Sequence, residues 1–246
     1  MKAQIVSEFR KLTTTRSAYL LLGGLLLVVG LVGAANILDE KVVPNLGAPL
    51  ERQPYLLIPL AITTTFTMIL GIRSFTDEFR HGSIVPTLLA SPDRRRVLGA
   101  KLVAVGAAGA VYAAAAMVVG VARAVIALEA KGGDVTWSVA ALAHVGGNLI
   151  IASALWAAIG VAVGLAVRHQ TAAIVGVFVW GIVVEGAVGA ILPAVGKFLP
   201  DAASSAIVGV NAEDLLAPGP AVLVFAAWTV AAAIVAARLM QRRDVA

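Results

Sequence analysis

Six long apolar stretches, spaced along a chain of 246 residues, constrain this fold more than any other feature. Each approaches or exceeds the roughly 20 residues that a helix needs to cross a bilayer. They run approximately over residues 18–38, 55–72, 98–121, 139–167, 171–192 and 221–237. Hydrophobic residues make up 60% of the chain and charged residues 13%, which leaves too little polar surface for a water-soluble domain of this size. The sequence therefore predicts an all-α, polytopic membrane protein with six transmembrane helices in one domain.

The basic residues predict the orientation of these spans, because Lys and Arg accumulate in cytoplasmic segments. With the N-terminus inside, 14 of the 19 Lys and Arg residues fall on the cytoplasmic side. They are Lys2, Arg10, Lys11, Arg16, Arg73, Arg80, Arg94, Arg95, Arg96, Lys101, Arg168, Arg238, Arg242 and Arg243. The other five are Lys41, Arg52, Arg123, Lys131 and Lys197. We expect a multi-pass protein of the bacterial inner membrane with both termini in the cytoplasm.

The segment before the first span has a helical pattern of its own. Ile5, Phe9 and Leu12 recur at helical spacing, while Glu8 and Lys11 face elsewhere. Residues 1–16 are therefore predicted to form a short helix that lies in the inner membrane interface. A simple positively charged leader that only sets orientation is the alternative.

Residues 73–97 carry most of the charge between the second and third spans. The front half is acidic, with Asp77 and Glu78, and the glycine that interrupts it, Gly82, allows a sharp change of direction. Arg94-Arg95-Arg96 in the rear half, together with Lys101 just beyond this segment, are expected to anchor the third span at anionic headgroups. We expect an acidic elbow at the cytoplasmic face that a soluble partner contacts. A loop whose charges only set orientation explains the composition equally well.

Within this segment, Ile84, Leu88 and Leu89 predict one amphipathic turn, and Ser91-Pro92 predicts its end. A second unusual segment covers residues 193–220. It is broken by prolines but is too apolar for a simple turn, so a re-entrant or outer-interface pair of short helices is predicted, because irregular backbone at membrane depth must be shielded by protein. A loose external loop is the alternative.

A few polar residues lie inside the apolar stretches. Glu185 interrupts the fifth span, and such a residue is costly in lipid. We expect it to pair with Arg123 in the outer half of the membrane, or else to contact a substrate. Thr63 and Thr67 share one face of the second span, where they either line a pathway or only hydrogen-bond within the helix. The Gly160-x-x-x-Gly164 motif predicts close helix packing, more often within the chain than between copies.

The chain lacks the residues that most chemistry at membranes requires. It has no cysteine, and its three histidines are not spaced as metal ligands with carboxylates. The dipeptide Gly196-Lys197 lacks the upstream glycine and the hydroxyl residue of a phosphate-binding loop. Nothing resembles a nucleic-acid-binding module. We therefore expect no enzyme activity, metal or cofactor on this chain by itself.

The polar segment resembles the signature of permease subunits of ATP-binding-cassette (ABC) exporters of the second type. The resemblance begins with Glu78-Phe79-Arg80-His81-Gly82-Ser83 and continues with Leu88-Leu89, Ser91-Pro92, Arg95 and Lys101. The N-terminal Glu8-Phe9-Arg10-Lys11 and the segment Leu199–Ala202 before the last span are also similar, so the resemblance covers essentially the whole chain.

This resemblance implies a transmembrane subunit that forms a translocation pathway as a homodimer or a closely related heterodimer. It implies cytoplasmic ABC ATPase subunits as partners, with ATP and Mg²⁺ on those subunits, and membrane lipid around the spans. The residues implied in coupling to the ATPase are Glu8, Asp77, Glu78, Arg80, Gly82, Ser91 and Pro92. The substrate is left open among drugs, peptides and lipid-type molecules. A secondary transporter or channel, and a membrane scaffold without transport, are the alternatives.

Overall fold

A computed structural model describes residues 2–38, 49, 54–91, 93–130, 136–209 and 215–242, apart from the side chains of residues 33, 36–38, 54–59 and 90. Every regular element in these ranges is a helix. In chain order they are α1 (Lys2–Thr14), α2 (Arg16–Leu38), α3 (Pro54–Arg80), α4 (Ile84–Ala90), α5 (Arg94–Ala130), α6 (Val139–Val167), α7 (Gln170–Val179), a π-helical turn (Trp180–Glu185), α8 (Gly186–Ile191), α9 (Pro193–Gly196), α10 (Pro200–Val208) and α11 (Pro218–Arg242).

Four of these helical stretches are long and apolar enough to cross a membrane: Arg94–Ala130, Val139–Val167, Gln170–Ile191 and Pro218–Arg242. A fifth is obtained if α1 and the start of α2, which are bent by 66° at Thr15, count as one broken span. The second predicted span begins at Tyr55, among side chains outside the described part, and it is not one of the four. The protein is thus an all-helical chain with the makeup of a multi-pass membrane protein.

Helices α3, α5 and α6 form the centre of the bundle, and α3 and α6 approach each other at glycines. A Cβ atom added to Gly160 would lie 2.2 Å from the carbonyl oxygen of Met68, and one added to Gly164 would lie 2.4 Å from that of Ile72. The backbones of α3 and α6 are in direct contact at these glycines, and no side chain would fit between them. The prediction that the two glycines pack within the chain is confirmed.

Contacts between helix ends show that the ends of α3, α6 and α11 and the start of α5 lie at the same end of the bundle. The guanidinium of Arg168, just after α6, lies 5.0 Å from the ring centroid of Phe79 near the end of α3. At the start of α5, Arg94 Nη1 donates to the carbonyl oxygen of Met240 near the end of α11, at 2.6 Å. Helix α1 packs against α5 as well. The segments predicted to share one membrane face therefore lie together, at what we call the α1 end.

Helix α1 ends where three consecutive threonines turn their hydroxyls back to the helix. Thr13 and Thr14 each donate to backbone oxygens one turn earlier, Thr14 to Arg10 O at 2.7 Å, and Thr15 donates to Lys11 O. These bonds keep the threonine hydroxyls within the helix end, and the one from Thr15 reaches a carbonyl of the last turn. The chain then bends into α2, and Tyr112 of α5 holds the bend by donating its hydroxyl to Ala18 O.

The stretch Gln170–Ile191 is the least enclosed part of the bundle. In its most apolar part, only 6% of the residues are buried within the chain, whereas 50% are buried in the corresponding part of α6. Its far end leads into α9 and α10, and α10 packs against α6 and α11. Two short helices thus lie within the predicted segment 193–220, at the end of the bundle opposite α1.

Candidate functional site

Four charged side chains from three helices meet at the α1 end and form what we call the charge cluster: Glu8, Lys11, Glu78 and Lys101. Lys101 of α5 donates to Glu8 Oε2 at 2.5 Å and to Glu78 Oε1 at 2.9 Å. Lys11 of α1 donates to Glu8 Oε1 at 2.6 Å and to the same Glu78 oxygen at 2.7 Å. Two carboxylates and two ammonium groups balance, so the cluster is neutral as a whole.

The charge cluster is enclosed mainly around Lys101, which is 2% exposed and lies 4.9 Å from the ring centroid of Phe75. The third hydrogen bond of its ammonium group goes to Ser74 O at 3.1 Å, so the three donors of this buried cation are used. Lys11 is more open, and it also reaches Thr87 Oγ1 of α4 at 3.3 Å. The cluster therefore joins α1, α3, α4 and α5 at one point.

The electrostatics of the charge cluster favour its ionised form. Burial alone raises the pKa of Glu8, but the nearby Lys101 and Lys11 outweigh it and hold that pKa below its usual value of 4.5. Burial alone lowers the pKa of Lys11, but hydrogen bonds to Glu78 and Glu8 raise it above its usual value of 10.5. The charges of Glu8 and Lys11 are thus maintained by the opposite charges around them.

Two expectations for the polar segment need correction. The carboxylate of Glu78 is buried and bound to Lys11 and Lys101, so it does not lie at the surface of this chain as expected. Lys101 is enclosed by protein and does not reach lipid headgroups. Helix α3 continues straight to Arg80, and this places Glu78 on the face toward α1 and α5 instead of on an exposed elbow. Sequence spacing alone did not indicate that lysines of two other helices would cover it.

The other residues predicted in coupling lie closer to the surface. Asp77 forms an ion pair with Arg73 one turn earlier, at 3.2 Å, and Arg80 is exposed. Gly82, between α3 and α4, has a φ of +68°, a left-handed conformation that glycine adopts readily. Ser91 accepts a hydrogen bond from Gln4 of α1, and Pro92 lies outside the described residues. The predicted turn at 84–90 is present as α4.

A cleft of about 700 Å³ runs along the fifth span and is also lined by α3, α6, α10 and α11. We call it the acidic cleft, because both titratable side chains that line it, Glu185 and Asp201, are carboxylic acids. Its walls carry the indole rings of Trp156, Trp180 and Trp228. A volume of this order fits a small-molecule ligand.

Glu185 is fixed in the acidic cleft by two hydrogen bonds. Its Oε1 accepts from Trp180 Nε1 and its Oε2 from the backbone N–H of Asp201, both at 2.9 Å. Residues five apart on a regular α-helix point about 140° away from each other, so Trp180 and Glu185 meet because the chain between them forms a π-turn. The second bond places the carboxylate at the N-terminus of α10, where the helix dipole favours negative charge.

The expected pair between Arg123 and Glu185 is not among the ion pairs of the described residues. The oxygens of Glu185 accept hydrogen bonds from Trp180 and Asp201. A π-turn and the start of α10 supply these donors, and neither follows from residue spacing.

The threonine face predicted in the second span does not line the acidic cleft. Thr63 and Thr67 are fully buried inside the bundle, and Thr67 bonds to Thr64 O one turn earlier at 2.9 Å. The threonines that line the acidic cleft are Thr64 and Thr65. A helix face defined by i and i+4 was predicted correctly, but the sequence did not show which neighbour covers it. The tryptophans were missed altogether, although Trp180 lies close to Glu185 in sequence.

Among the residues that the structure describes, no three His, Asp or Glu side chains are grouped so that they could hold a metal ion. No known family model matches this sequence, and no curated protein is significantly similar to it. The resemblance to ABC permeases therefore rests on the residues quoted above.

Proposed function

We propose that this chain is the transmembrane subunit of an ABC exporter, working as a dimer with two cytoplasmic ATPase subunits that bind ATP and Mg²⁺. In this proposal the chain spans the inner membrane six times, the α1 end faces the cytoplasm, and residues 193–220 form the re-entrant or outer-face segment. The substrate is of drug, peptide or lipid type.

The observation that carries the proposal is the charge cluster. A mechanical input from an ATPase has to reach several spans at once, and the cluster ties the interfacial helix α1 to α3, α5 and, through Thr87, to α4. Charge-assisted hydrogen bonds are short and strongly directional, so a displacement of α4 or α1 is passed on to the ends of two long helices. A loop whose charges only set the orientation of the spans would not require a buried cluster of ion pairs between helices.

The surface of α4 supplies a contact for the ATPase. Leu89 is 78% exposed on this short helix, and Val85 beside it is exposed too, while Ile84 on the opposite face is buried against the bundle. In the proposed topology these side chains project into water, where exposed apolar groups at a charged rim are typical of protein contacts. The coupling role thus moves from Glu78 to the apolar face of α4, with Glu78 holding that helix to the spans.

The test compares two variants, Leu89→Ser and Leu223→Ser, in chains purified in mild detergent from the native membrane. Leu223 is 74% exposed on α11, so the control removes the same side chain at similar exposure but far from α4. We expect vanadate-sensitive ATP hydrolysis to co-purify with the wild type and the Leu223 variant and to be largely lost with Leu89→Ser. Equal retention in both variants would contradict the role of α4.

The same preparation, reconstituted from detergent into sealed lipid vesicles, separates the alternatives. A secondary transporter or channel would transport its substrate without an ATP-hydrolysing subunit, driven by an ion gradient, and a scaffold would show no transport. Transport that persists after complete removal of nucleotide would favour the first of these readings over an ABC exporter.

A further inference from the structure

The acidic cleft combines a buried negative charge with aromatic walls. Glu185 is 7% exposed, and both of its oxygens accept hydrogen bonds, which is the pattern of an ionised carboxylate. The donors it uses, an indole N–H and a backbone N–H, are neutral. None of the residues that line the described cleft is a lysine or an arginine. The helix dipole of α10 compensates the charge only in part, since it amounts to about half a unit.

The rings around this carboxylate are held in place, which makes the cleft a preformed site. The indole N–H of Trp180 donates to Glu185, that of Trp228 to Phe198 O at 2.8 Å, and that of Trp156 to Ser204 Oγ at 2.8 Å. The indole rings are thereby oriented by partners within the chain. The large rings of Trp180 and Trp228 nevertheless stay partly exposed. Little conformational entropy remains to be lost when a ligand enters.

We propose that the acidic cleft binds an organic cation with an apolar body, such as a lipophilic ammonium or phosphonium ion. The cationic centre lies near Glu185 and Asp201, and the apolar groups pack on Trp180, Trp228 and Phe178. Aromatic faces attract cations, most strongly where water is displaced, and a carboxylate in a partly dehydrated cleft adds a direct Coulomb attraction. A neutral or anionic ligand would leave the charge of Glu185 uncompensated.

The position of the site agrees with a substrate that partitions into lipid. Glu185 lies 15 residues beyond Gln170, so it is about 22 Å from the α1 end of the fifth span at the rise of an α-helix. The fifth span itself is largely open to its surroundings, so an apolar cation can enter from the bilayer. As a statement about an exported substrate, the inference rests on the proposed function. The binding itself needs neither ATP nor a partner subunit, so the two proposals can fail separately.

The test uses two nearly isosteric ions of opposite charge, tetraphenylphosphonium and tetraphenylborate. The full chain is placed in nanodiscs of neutral phosphatidylcholine, and binding is measured by equilibrium dialysis against empty nanodiscs. We expect saturable binding of the cation with one site per chain and no saturable binding of the anion. Glu185→Gln should raise the Kd of the cation about ten-fold or more, as expected for loss of a charge-assisted contact.

Two further variants guard the result. Asp201→Asn removes the second charge without touching the bonds to Glu185 and should raise the Kd by a smaller factor, so it tests the site if Glu185→Gln fails to fold. Glu129→Gln removes an exposed carboxylate near the far end of α5 and should leave the Kd unchanged. Equal binding of both ions by the wild type would overturn the proposal. So would an unchanged cation Kd in a folded Glu185→Gln variant or, if that variant does not fold, in Asp201→Asn. If Glu185→Gln lowers the stability of the chain but leaves its preference for the cation unchanged, the role of Glu185 is only to link the fifth span to α10.

Discussion

At the scale of single residues, Lys101 determines how the α1 end is assembled. A buried ion pair adds little net stability compared with apolar residues, because dehydrating the charges offsets much of their attraction. Removing one partner is a different matter, since it leaves a charge buried without compensation. The charge cluster therefore acts chiefly as a requirement for correct placement of α1 against α3 and α5, and its loss should be felt in both docking and stability.

The first prediction concerns this dependence on Lys101. Lys101→Met keeps the length of the side chain but leaves Glu8 and Glu78 with only Lys11, so we expect the free energy of unfolding in detergent to fall by about 3–5 kcal/mol. Thermal unfolding followed by circular dichroism measures the loss. Lys2→Met changes an exposed lysine of α1 and should alter stability by no more than about 0.5 kcal/mol.

A second substitution that restores the charge balance tests whether the loss of stability is caused by charge. Adding Glu8→Gln to Lys101→Met restores the balance of one carboxylate and one ammonium, so the double variant should be more stable than Lys101→Met alone. If the two changes simply add, the carboxylate of Glu8 does not depend on Lys101 in the way the distances indicate.

The second prediction concerns pH. The pKa of Glu8 is lowered in the folded chain, so its contribution to stability is fully present above its unfolded value of about 4.5 and is lost as the pH falls through the lower folded value. The pKa of Lys11 is raised, so its contribution is present below about 10.5 and is lost as the pH rises through the higher folded value. The stability difference between the wild type and Glu8→Gln should therefore be flat from about pH 5 to 10 and shrink under more acidic conditions. A difference that already shrinks near pH 7 would be inconsistent with these directions.

At the scale of helices, the seam between α3 and α6 depends on the absence of side chains. Gly71, Gly160 and Gly164 bring the two backbones into contact, and the atoms in the way of a Cβ are backbone atoms that cannot rotate aside. Such close approach replaces the hydrophobic driving force that helices lack in lipid, where tight packing has to hold them together.

The third prediction follows from this seam. Gly160→Val should force α3 and α6 apart and lower the melting temperature strongly, with a cost of at least the 1–3 kcal/mol typical of overpacking. Gly147→Val is the matched control on the same helix, because nothing lies within 4 Å of an added Cβ there. Similar melting temperatures for the two variants would mean that the seam is looser than these distances.

The helices themselves were largely predictable, and the contacts between them were not. The predicted spans 18–38, 139–167 and 171–192 correspond to the observed Arg16–Leu38, Val139–Val167 and Gln170–Ile191, because long apolar runs favour helix wherever the surroundings are apolar. The third predicted span, 98–121, lies within the longer helix α5, Arg94–Ala130, since charged ends remain helical outside the apolar part.

The candidate sites show why the remainder could not be predicted. Glu78 was assigned to an open surface, and Thr63 and Thr67 either to a pathway or to hydrogen bonds within their helix. Their environments are set by α1, α5 and other neighbours distant in sequence. Glu185 was recognised as an unusual residue, but its partners depend on a π-turn and on α10. Sequence periodicity shows which residues share a helix face, but it does not predict which neighbouring element packs against that face.

At the scale of the whole molecule, the gathering of helix ends at the α1 end makes orientation testable. The chain has no cysteine, so single cysteines can be introduced without background. The fourth prediction is that cysteines at Asn45 and Asp134 react with an impermeant reagent added outside intact cells, while those at Arg95 and Arg242 react only after permeabilisation. The reason is the excess of basic residues on the predicted cytoplasmic side. External labelling at position 95 would reverse the orientation and place α4 where no cytoplasmic ATPase could reach it.

The central claim is that the chain works in an ATP-driven complex, and native mass spectrometry of that complex tests it most directly. The tagged chain is isolated from its native membrane in a detergent that can be removed in the gas phase. We predict an assembly of two membrane subunits, each of 25.1 kDa if both are this chain, together with two copies of a nucleotide-binding subunit that retains ATP and Mg²⁺ when vanadate is added. Transport-active preparations in which the chain occurs alone, or only with further copies of itself, would contradict the account.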